Sequence, residues 1–195
     1  IEDDWKKQIC KDLNSIMYEV NGILHLAPNQ SMKTLTINSH GFRGDDFSET
    51  KDLDTNRIFL VGGSTVFGIT TDDTTISSFL QKKFEDYYPD KKFEVLNAGV
   101  TSAYSYTEKY LIETKLIKFQ PDLIIPQAVA WAEQPWAKDL VTQGWPIFCP
   151  VDDAMRIEIS RKESSELCKR YGIPVPVFHH ARNKLEAIKL MQIDP

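Results

Sequence analysis

The sequence predicts an α/β protein with a mainly parallel sheet, and two observations support that prediction. Short apolar runs near residues 57–61, 93–96 and 123–125 are typical of buried strands bounded by turn residues. The segments between these runs carry apolar residues at helical spacing. Each segment is also long enough for the crossover that joins two parallel strands, which needs about a dozen residues.

The stretch at residues 57–68, RIFLVGGSTVFG, is the centre of the predicted sheet. Its apolar run ends at Gly62 and Gly63, which allow a sharp turn and leave space beside Ser64. The turn places the Ser64 hydroxyl at the carboxyl end of a strand, where open α/β sheets bind ligands. A serine close to free backbone N–H groups is a candidate nucleophile beside its own oxyanion hole. The alternative interpretation is a tight turn that Ser64 caps.

A second loop reaches the same edge of the predicted sheet. Gly99 follows the strand at 93–96 and therefore lies on the same side as Ser64 if the strands are parallel. His179 and His180 follow a predicted last strand and are expected on that side as well. The sequence therefore predicts a site where these loops converge.

The other elements are predicted from local signals. A first helix from Asp3 to Tyr18 ends at Asn21-Gly22, and residues 23–50 are irregular apart from an extended piece at 35–37. A second helix is predicted to start at Thr74 or Thr75 and to stop at Tyr87. A third is predicted at 105–119, with core residues Tyr106, Tyr110, Leu111, Leu116 and Ile117. The last predicted elements are a helix at 155–170, an edge strand at 173–178 and a helix at 183–192.

For two stretches of the chain, the sequence allows two structural interpretations each. Residues 38–44, NSHGFRG, form either a tight, specific loop or a surface turn. The tryptophans Trp131, Trp136 and Trp145 either line a pocket for a sugar or an apolar group, or pack in the core or against a partner.

Composition and charge exclude several classes of function. The net charge of −5 and the pI near 5.4 argue against a nucleic-acid-binding protein that neutralises phosphates. Phosphate-loop spacings are absent, which argues against a flavodoxin-like binding domain. The four histidines and three cysteines lack metal-ligand spacings, so no metal or other cofactor is predicted. The cysteine count leaves either one disulfide with one free thiol or three free thiols.

The predicted organisation is a lead-in followed by one domain. We expect an N-terminal helix and irregular segment at residues 1–50 and an α/β domain at residues 51–195. No apolar run approaches the roughly 20 residues that span a bilayer, so no transmembrane segment is predicted. The chain begins with Ile1 rather than Met, which favours an exported or anchored protein over a cytoplasmic one.

With these elements in place, residues 38–125 resemble the SGNH (GDSL-like) hydrolase family. Four segments match in order and spacing: NSHGFRG at 38–44, RIFLVGGSTVFG at 57–68 with Gly63 where the family commonly has Asp, NAGV at 97–100 and PDLII at 121–125. The resemblance implies a three-layer α/β/α sandwich of the SGNH-hydrolase or flavodoxin-like kind. It also implies that Ser64 is the nucleophile and that the N–H groups of Ser64 and Gly99 belong to the oxyanion hole.

The resemblance implies a serine hydrolase whose substrate is a small-molecule or carbohydrate ester, such as an acetylated sugar. An acyl-enzyme would form on Ser64 and water would then hydrolyse it. The alternative is a catalytically inactive domain of the same fold that binds a glycan or a protein partner. An imidazole within hydrogen-bond reach of the Ser64 hydroxyl would distinguish the two.

Two features of the family are absent from the sequence. No Asn follows the third strand within residues 126–134, and no D-x-x-H occurs anywhere in the chain. Three explanations are open: further residues outside this sequence supply these features, His179 or His180 acts as the base in a rebuilt triad, or the domain has lost catalysis. We favour the first explanation over the other two.

Overall fold

The computed structural model describes residues 2–127, 134–150, 152–176, 179 and 181–193. The chain divides into two compact units, residues 1–149 and 150–195. The sheets and both clusters of buried apolar side chains lie in the first unit.

The N-terminal segment is a helix followed by a β-hairpin. Asn21 and Gly22 form the hairpin turn, with φ values of 51° and 78°, because Asn-Gly readily adopts the left-handed conformation that such a turn requires. The prediction that the first helix continues to Tyr18 and ends at Asn21-Gly22 is therefore wrong. The elements are α1 (Glu2–Ser15), β1 (Met17–Val20) and β2 (Ile23–Leu26), with β1 and β2 antiparallel.

The predicted extended piece at 35–37 is confirmed as part of a second antiparallel pair. β3 (Gln30–Ser31) pairs with β4 (Thr36–Ile37). The loop that follows continues toward the main sheet, because Arg43 bridges to Ile37 on one side and to Asn97 on the other.

A parallel sheet of three strands forms the centre of the first unit, as the sequence predicts. β5 (Thr55–Gly62) lies between β6 (Lys92–Gly99) and β7 (Leu123–Pro126). The register pairs Gly62 with Gly99, so the two glycine-bearing strand ends lie side by side. A segment around Ile147 runs beside β7, where the Phe148 N–H donates to the Ile124 carbonyl at 2.8 Å.

Helices cover both faces of this sheet and confirm the α/β/α architecture. α2 (Ser64–Phe67) follows β5 directly, a 3₁₀ turn spans Asp72–Thr74, and α3 (Ile76–Tyr87) packs against β6. Thr75 caps α3 as predicted, since its hydroxyl accepts from the Ser78 N–H at 3.2 Å. The side chains of Phe59 and Val61 point to the opposite face and contribute to the buried cluster that includes Ile112 and Leu116.

The predicted helix at 105–119 is a helical segment with three geometries. α4 (Ser105–Leu111) continues as a π turn at Ile112–Leu116 and a 3₁₀ turn at Ile117–Phe119. Leu111 and Leu116 are buried, as predicted. Tyr106, Tyr110 and Ile117 are 60%, 37% and 39% exposed, so their predicted place in the core is wrong. The cause is the face that packs: α4 buries the neighbouring positions 107, 108 and 111.

The described part of the second unit is helical. The predicted helix at 155–170 is interrupted at Ser160, whose side chain caps the next helix by accepting from the Glu163 N–H at 3.2 Å. Residues 173–176 form no strand, so that part of the predicted edge strand is wrong, and residues 177–178 lie outside the described residues. The helix predicted at 183–192 is confirmed. The helices from residue 135 onward are α5 (Pro135–Thr142), α6 (Arg156–Ile159), α7 (Arg161–Arg170) and α8 (Lys184–Ile193), with a 3₁₀ turn at Asp152–Met155.

Among the described residues, Cys10, Cys149 and Cys168 form no disulfide with one another. Among the described residues, no helix has the length and apolar character of a membrane span. No group of three or more His, Cys, Asp or Glu side chains within the same residues is arranged to hold a metal ion.

Candidate functional site

Ser64 is the first residue of α2 and lies at the carboxyl end of the central strand β5. Its side chain is exposed, and its hydroxyl makes no hydrogen bond with the residues that the structure describes. α2 is closed by two backbone hydrogen bonds, from Phe67 to the Gly63 carbonyl at 3.0 Å and from Gly68 to the Ser64 carbonyl at 2.9 Å. The N–H groups at the start of such a turn have no acceptor within the helix.

Gly99 contacts the turn that carries Ser64. A Cβ atom at Gly99 would lie 2.2 Å from the backbone nitrogen of Phe67 and 2.7 Å from its Cα, so only glycine allows this approach. Gly62 is similarly tight, with its Cβ position 2.6 Å from Val66 Cγ2. The sequence predicted that Ser64 and Gly99 share one edge of the sheet, and the structure has α2 in contact with Gly99.

The Asn97 side chain connects these two parts of the site. Its Oδ1 accepts from the Gly99 N–H at 3.0 Å, and its Nδ2 donates to the carbonyls of Val66 at 2.8 Å and Phe67 at 3.3 Å. Asn97 is buried, so these hydrogen bonds are shielded from water. Both the end of α2 and the Gly99 backbone are thereby fixed in place.

Arg43 holds the chain that leaves α2. Its guanidinium is buried and donates to the carbonyls of Phe67, Gly68 and Thr70, with 2.7 Å to the Phe67 oxygen. Its Nε donates to Asp72 Oδ1 at 2.8 Å, and its Cζ lies 4.7 Å from the centroid of the Phe67 ring. Burial lowers the pKa of Arg43, while the Asp72 carboxylate opposes that shift. One side chain therefore clamps the whole turn after Ser64.

The segment at residues 38–44 is the tight, specific loop of the two predicted alternatives. Asn38 Oδ1 accepts from the Phe42 N–H at 2.9 Å and from the His40 N–H at 3.1 Å. Gly41 has a φ of 71°, and a Cβ there would lie 2.9 Å from the Leu26 carbonyl oxygen. This backbone places Phe42 and Arg43 in the interior, so the loop is structural support for the site.

The two histidines of the first unit make contacts that fix their rings. His40 Nε2 lies 3.0 Å from the Phe47 carbonyl, and its ring packs on Phe119. His25 stacks on Tyr18 with centroids 5.4 Å apart, and burial followed by the charge of Lys115 lowers its pKa. The two histidines that sequence analysis selected lie in the second unit: His179 is exposed, and His180 is outside the described residues.

Lys115 lines a small pocket together with Gly99. Its ammonium donates to the Gly41 carbonyl at 3.2 Å and lies 4.2 Å from the centroid of the Phe42 ring. His25 also lines this pocket. Burial, followed by the charge of Lys118, lowers the pKa of Lys115 to about 8.

Gln127 is a polar residue at this edge that sequence analysis did not select. Its N–H donates to the Val61 carbonyl at 2.8 Å, and its Oε1 lies 3.1 Å from the Cβ position of Gly62. Trp136 and Trp145 pack against the core cluster, while Trp131 lies outside the described residues. A groove of about 560 Å³ is lined by residues 93–97 of β6 among others, and neither Ser64 nor Gly99 lines it.

Sequence analysis missed the roles of three residues around this site, which are Arg43, Asn97 and Gln127. The first two lie within segments that it did select, 38–44 and 97–100, but their partners are 24 to 31 residues away along the chain. The local amino-acid sequence gives no signal for those long-range hydrogen bonds.

Neither a protein-family model nor a curated protein matches the chain. Solved structures that match it include AlinE4, described as an SGNH-hydrolase family esterase, at 14% identity and a TM-score of 0.41, covering 73% of this chain and 94% of AlinE4. A variant of Axe2, an acetyl xylan esterase from Geobacillus stearothermophilus, matches at 13% identity and a TM-score of 0.39, covering 65% of this chain and 77% of Axe2. Similarity this low does not assign an activity to the chain.

Proposed function

We propose that the chain is a serine hydrolase that cleaves an ester through an acyl-enzyme on Ser64. The observation that carries the proposal is the exposed hydroxyl of Ser64, which makes no hydrogen bond with the described residues. The turn that carries Ser64 is held in place by several contacts. Arg43, Asn97 and Gly99 hold that turn through buried hydrogen bonds and direct packing. A rigid support of this kind suits a nucleophile, because catalysis depends on a pre-organised position.

In the proposed reaction, Ser64 Oγ attacks the ester carbonyl and the oxygen of that carbonyl becomes an anion. The Ser64 N–H would donate to this anion, and the Gly99 N–H would share its hydrogen between Asn97 Oδ1 and the anion as a three-centre bond. Each oxyanion donor is worth about 3–4 kcal/mol in the transition state. The alcohol leaves, and water hydrolyses the acyl-Ser64 ester to regenerate the hydroxyl.

The proposed reaction needs a base, and the source of that base stays open between residues outside this sequence and His179 or His180. A serine hydroxyl is a weak nucleophile at its ordinary pKa, so an imidazole must accept its proton during the attack. The proposed substrate is an ester with a small acyl group, such as acetyl, on a carbohydrate.

Intact mass after incubation with a fluorophosphonate probe tests the nucleophile. We expect one adduct on the wild-type chain, none on Ser64→Ala and an unchanged adduct on Thr65→Ala, the matched control on the next exposed position of α2. If His179 or His180 is the base, its replacement by alanine should slow labelling by about 10²- to 10⁴-fold, while replacement of the other histidine changes little. A folded wild-type chain without an adduct would show that this chain alone is not a working serine hydrolase.

A further inference from the structure

Lys115 is a partly buried cation that has no carboxylate partner in the part of the chain that the structure describes. Its ammonium lies between the Gly41 carbonyl oxygen, at 3.2 Å, and the face of the Phe42 ring, whose centroid is 4.2 Å away. The charged group that acts on the pKa of Lys115 is Lys118, which is a second cation. The positive charge of Lys115 is therefore not compensated by the described residues.

The backbone at Gly41 is built around the ammonium. A Cβ atom at Gly41 would lie 3.1 Å from the Lys115 nitrogen and 2.9 Å from the Leu26 carbonyl oxygen. Gly41 also has a φ of 71°, which disfavours a residue with a side chain. A side chain at this position would displace either the ammonium or the neighbouring backbone. The loop at residues 38–44 therefore admits the cation where it lies.

The two polar side chains at this place have hydrogen-bond donors to spare. A lysine ammonium carries three N–H donors, and the Gly41 carbonyl accepts one of them. The His25 ring stacks on Tyr18, and neither of its nitrogens hydrogen-bonds to a residue that the structure describes. Burial followed by the charge of Lys115 lowers the pKa of His25, so at neutral pH its ring is uncharged and has one N–H donor. Both side chains therefore favour an acceptor beside them.

The pocket that Lys115 and His25 share is small and contains no acidic group. Of the nine residues that line it, Lys115 and His25 are the two that titrate, and the others are glycines or apolar residues. The space open to the centre of a water-sized group is about 10 Å³, which is room for about one such group. The pocket thus selects by charge and by size, since it suits an anion and has no room for a polyatomic group as large as sulfate.

We propose that this pocket binds one small monovalent inorganic anion, of which chloride is the test case, between the Lys115 ammonium and His25. A single anion accepts the spare N–H donors and neutralises a charge that the fold otherwise holds without a partner. A water molecule would accept the same hydrogen bonds but leave the charge uncompensated. The site shares Gly99 with the candidate active site, but the binding does not depend on any reaction at Ser64.

Urea unfolding of the full chain in sodium chloride and in sodium gluconate of equal concentration tests the proposal. Gluconate is a monovalent anion too bulky for the pocket, so the comparison holds ionic strength constant. Because the site exists only in the folded state, about 0.5 M chloride at pH 7 should raise the folding equilibrium constant at least about threefold relative to gluconate. Lys115→Met should lose this effect. Lys118→Met, at the exposed lysine one turn further on, is the matched control and should keep most of it.

The pH dependence of the chloride effect needs no variant and decides the result if Lys115→Met does not fold. With a pKa of about 8, most of the Lys115 ammonium loses its proton by pH 9.5, so chloride should bind about 30-fold more weakly there than at pH 7. Chloride-35 NMR measures the binding directly. The wild-type chain should broaden the chloride line more at pH 7 than at pH 9.5, and at pH 7 more than Lys115→Met does.

Three outcomes overturn the proposal. The first is the same stability of the wild type in chloride and in gluconate at pH 7, which would show that water alone serves the pocket. The second is an equal chloride effect in the wild type and in Lys115→Met, which would place the bound anion elsewhere. The third is an equal Lys115-dependent stabilisation by chloride and by sulfate at matched ionic strength, which would show general screening of an accessible charge.

Discussion

Arg43 shows how one buried side chain supports a site that it does not form. Its guanidinium serves three carbonyls and one carboxylate around the turn after Ser64. Only a planar group with several donors in a fixed arrangement satisfies all four acceptors together. Asp72, the carboxylate partner, also accepts from the N–H and hydroxyl of Thr36, so the clamp extends to β4.

Arg43→Lys should therefore destabilise the fold and slow the labelling of Ser64. Lysine keeps the charge but has a single nitrogen, which leaves buried carbonyls without a donor at a cost of about 2–3 kcal/mol. Urea unfolding measures the stability, and the fluorophosphonate rate measures the site. Arg161→Lys, at an exposed position on α7, is the matched control and should change neither. Equal stability of the Arg43→Lys variant and the wild type would contradict the clamp.

Lys115 gives the free energy of unfolding a pH dependence with a defined sign. Its pKa is about 8 in the folded chain and near 10.5 when it is free of burial. Between these values the unfolded state binds more protons, so the folded state gains stability as the pH rises from about 8 to 10.5. Below pH 8 the buried charge imposes its full cost on the fold.

Lys115→Met removes that dependence while keeping an unbranched chain over the Phe42 ring. We expect the difference in unfolding free energy between wild type and Lys115→Met to shift in favour of the wild type from pH 7 to pH 9.5. Urea unfolding at both pH values measures it, with Lys118→Met, at an exposed lysine, as the control that should show a smaller shift. A pH-independent difference for Lys115→Met would show that its ammonium is solvated.

At the scale of elements, the contact between α2 and β6 decides where Ser64 sits. Gly99→Ala adds one methyl group where the Phe67 backbone already lies, so α2 must move or the strand end must shift. Overpacking of this kind costs about 2 kcal/mol or more, and it should reduce the labelling rate of Ser64 as well. Urea unfolding and fluorophosphonate labelling measure the two effects.

Gly63→Ala is the matched control for this prediction. Its added methyl would meet only the Ala103 carbonyl oxygen, at 3.5 Å, which is ordinary van der Waals contact. A smaller loss of stability in Gly63→Ala than in Gly99→Ala is therefore expected. A larger loss of stability in Gly63→Ala than in Gly99→Ala would show that the contact between α2 and β6 accommodates a methyl group at little cost.

The elements that sequence analysis predicted are those whose signals are local. β5 and β6 are apolar runs that stop at glycine, and α3 has its cap at Thr75, so each could be recognised within its own segment. The hairpin at 17–26 was missed because Asn21-Gly22 fits both the end of a helix and a hairpin turn. The positions of Ser64 and Gly99 at one edge followed from parallel pairing alone.

The parts that could not be predicted depend on contacts between distant segments. Tyr106 and Tyr110 carry the same apolar signal as Leu111, and only the packed helix shows which of them faces solvent. The role of Arg43 depends on Asp72 and on carbonyls of a turn more than 20 residues away. A base near Ser64 has no local signal of any kind, because imidazoles reach such a site through tertiary structure.

At the scale of the whole molecule, the candidate nucleophile and the two candidate histidines belong to different units of the chain. The sheet, both buried clusters and Ser64 belong to residues 1–149, while His179 and His180 belong to residues 150–195. Because its core is contained within itself, a chain of residues 1–149 should fold. The contacts of His25 and His40 commit both rings to their own aromatic neighbours.

A chain of residues 1–149 should therefore keep its fold. If His179 or His180 is the base of the proposed reaction, this chain should also label at Ser64 about 10²- to 10⁴-fold more slowly than the full chain. Circular dichroism and urea unfolding check the fold, and the fluorophosphonate rate checks the serine. The full chain with His179→Ala and His180→Ala together is the matched control, and it should lose the same reactivity with the second unit retained. Labelling of the folded 1–149 chain at the full rate would place the activating group within the first unit.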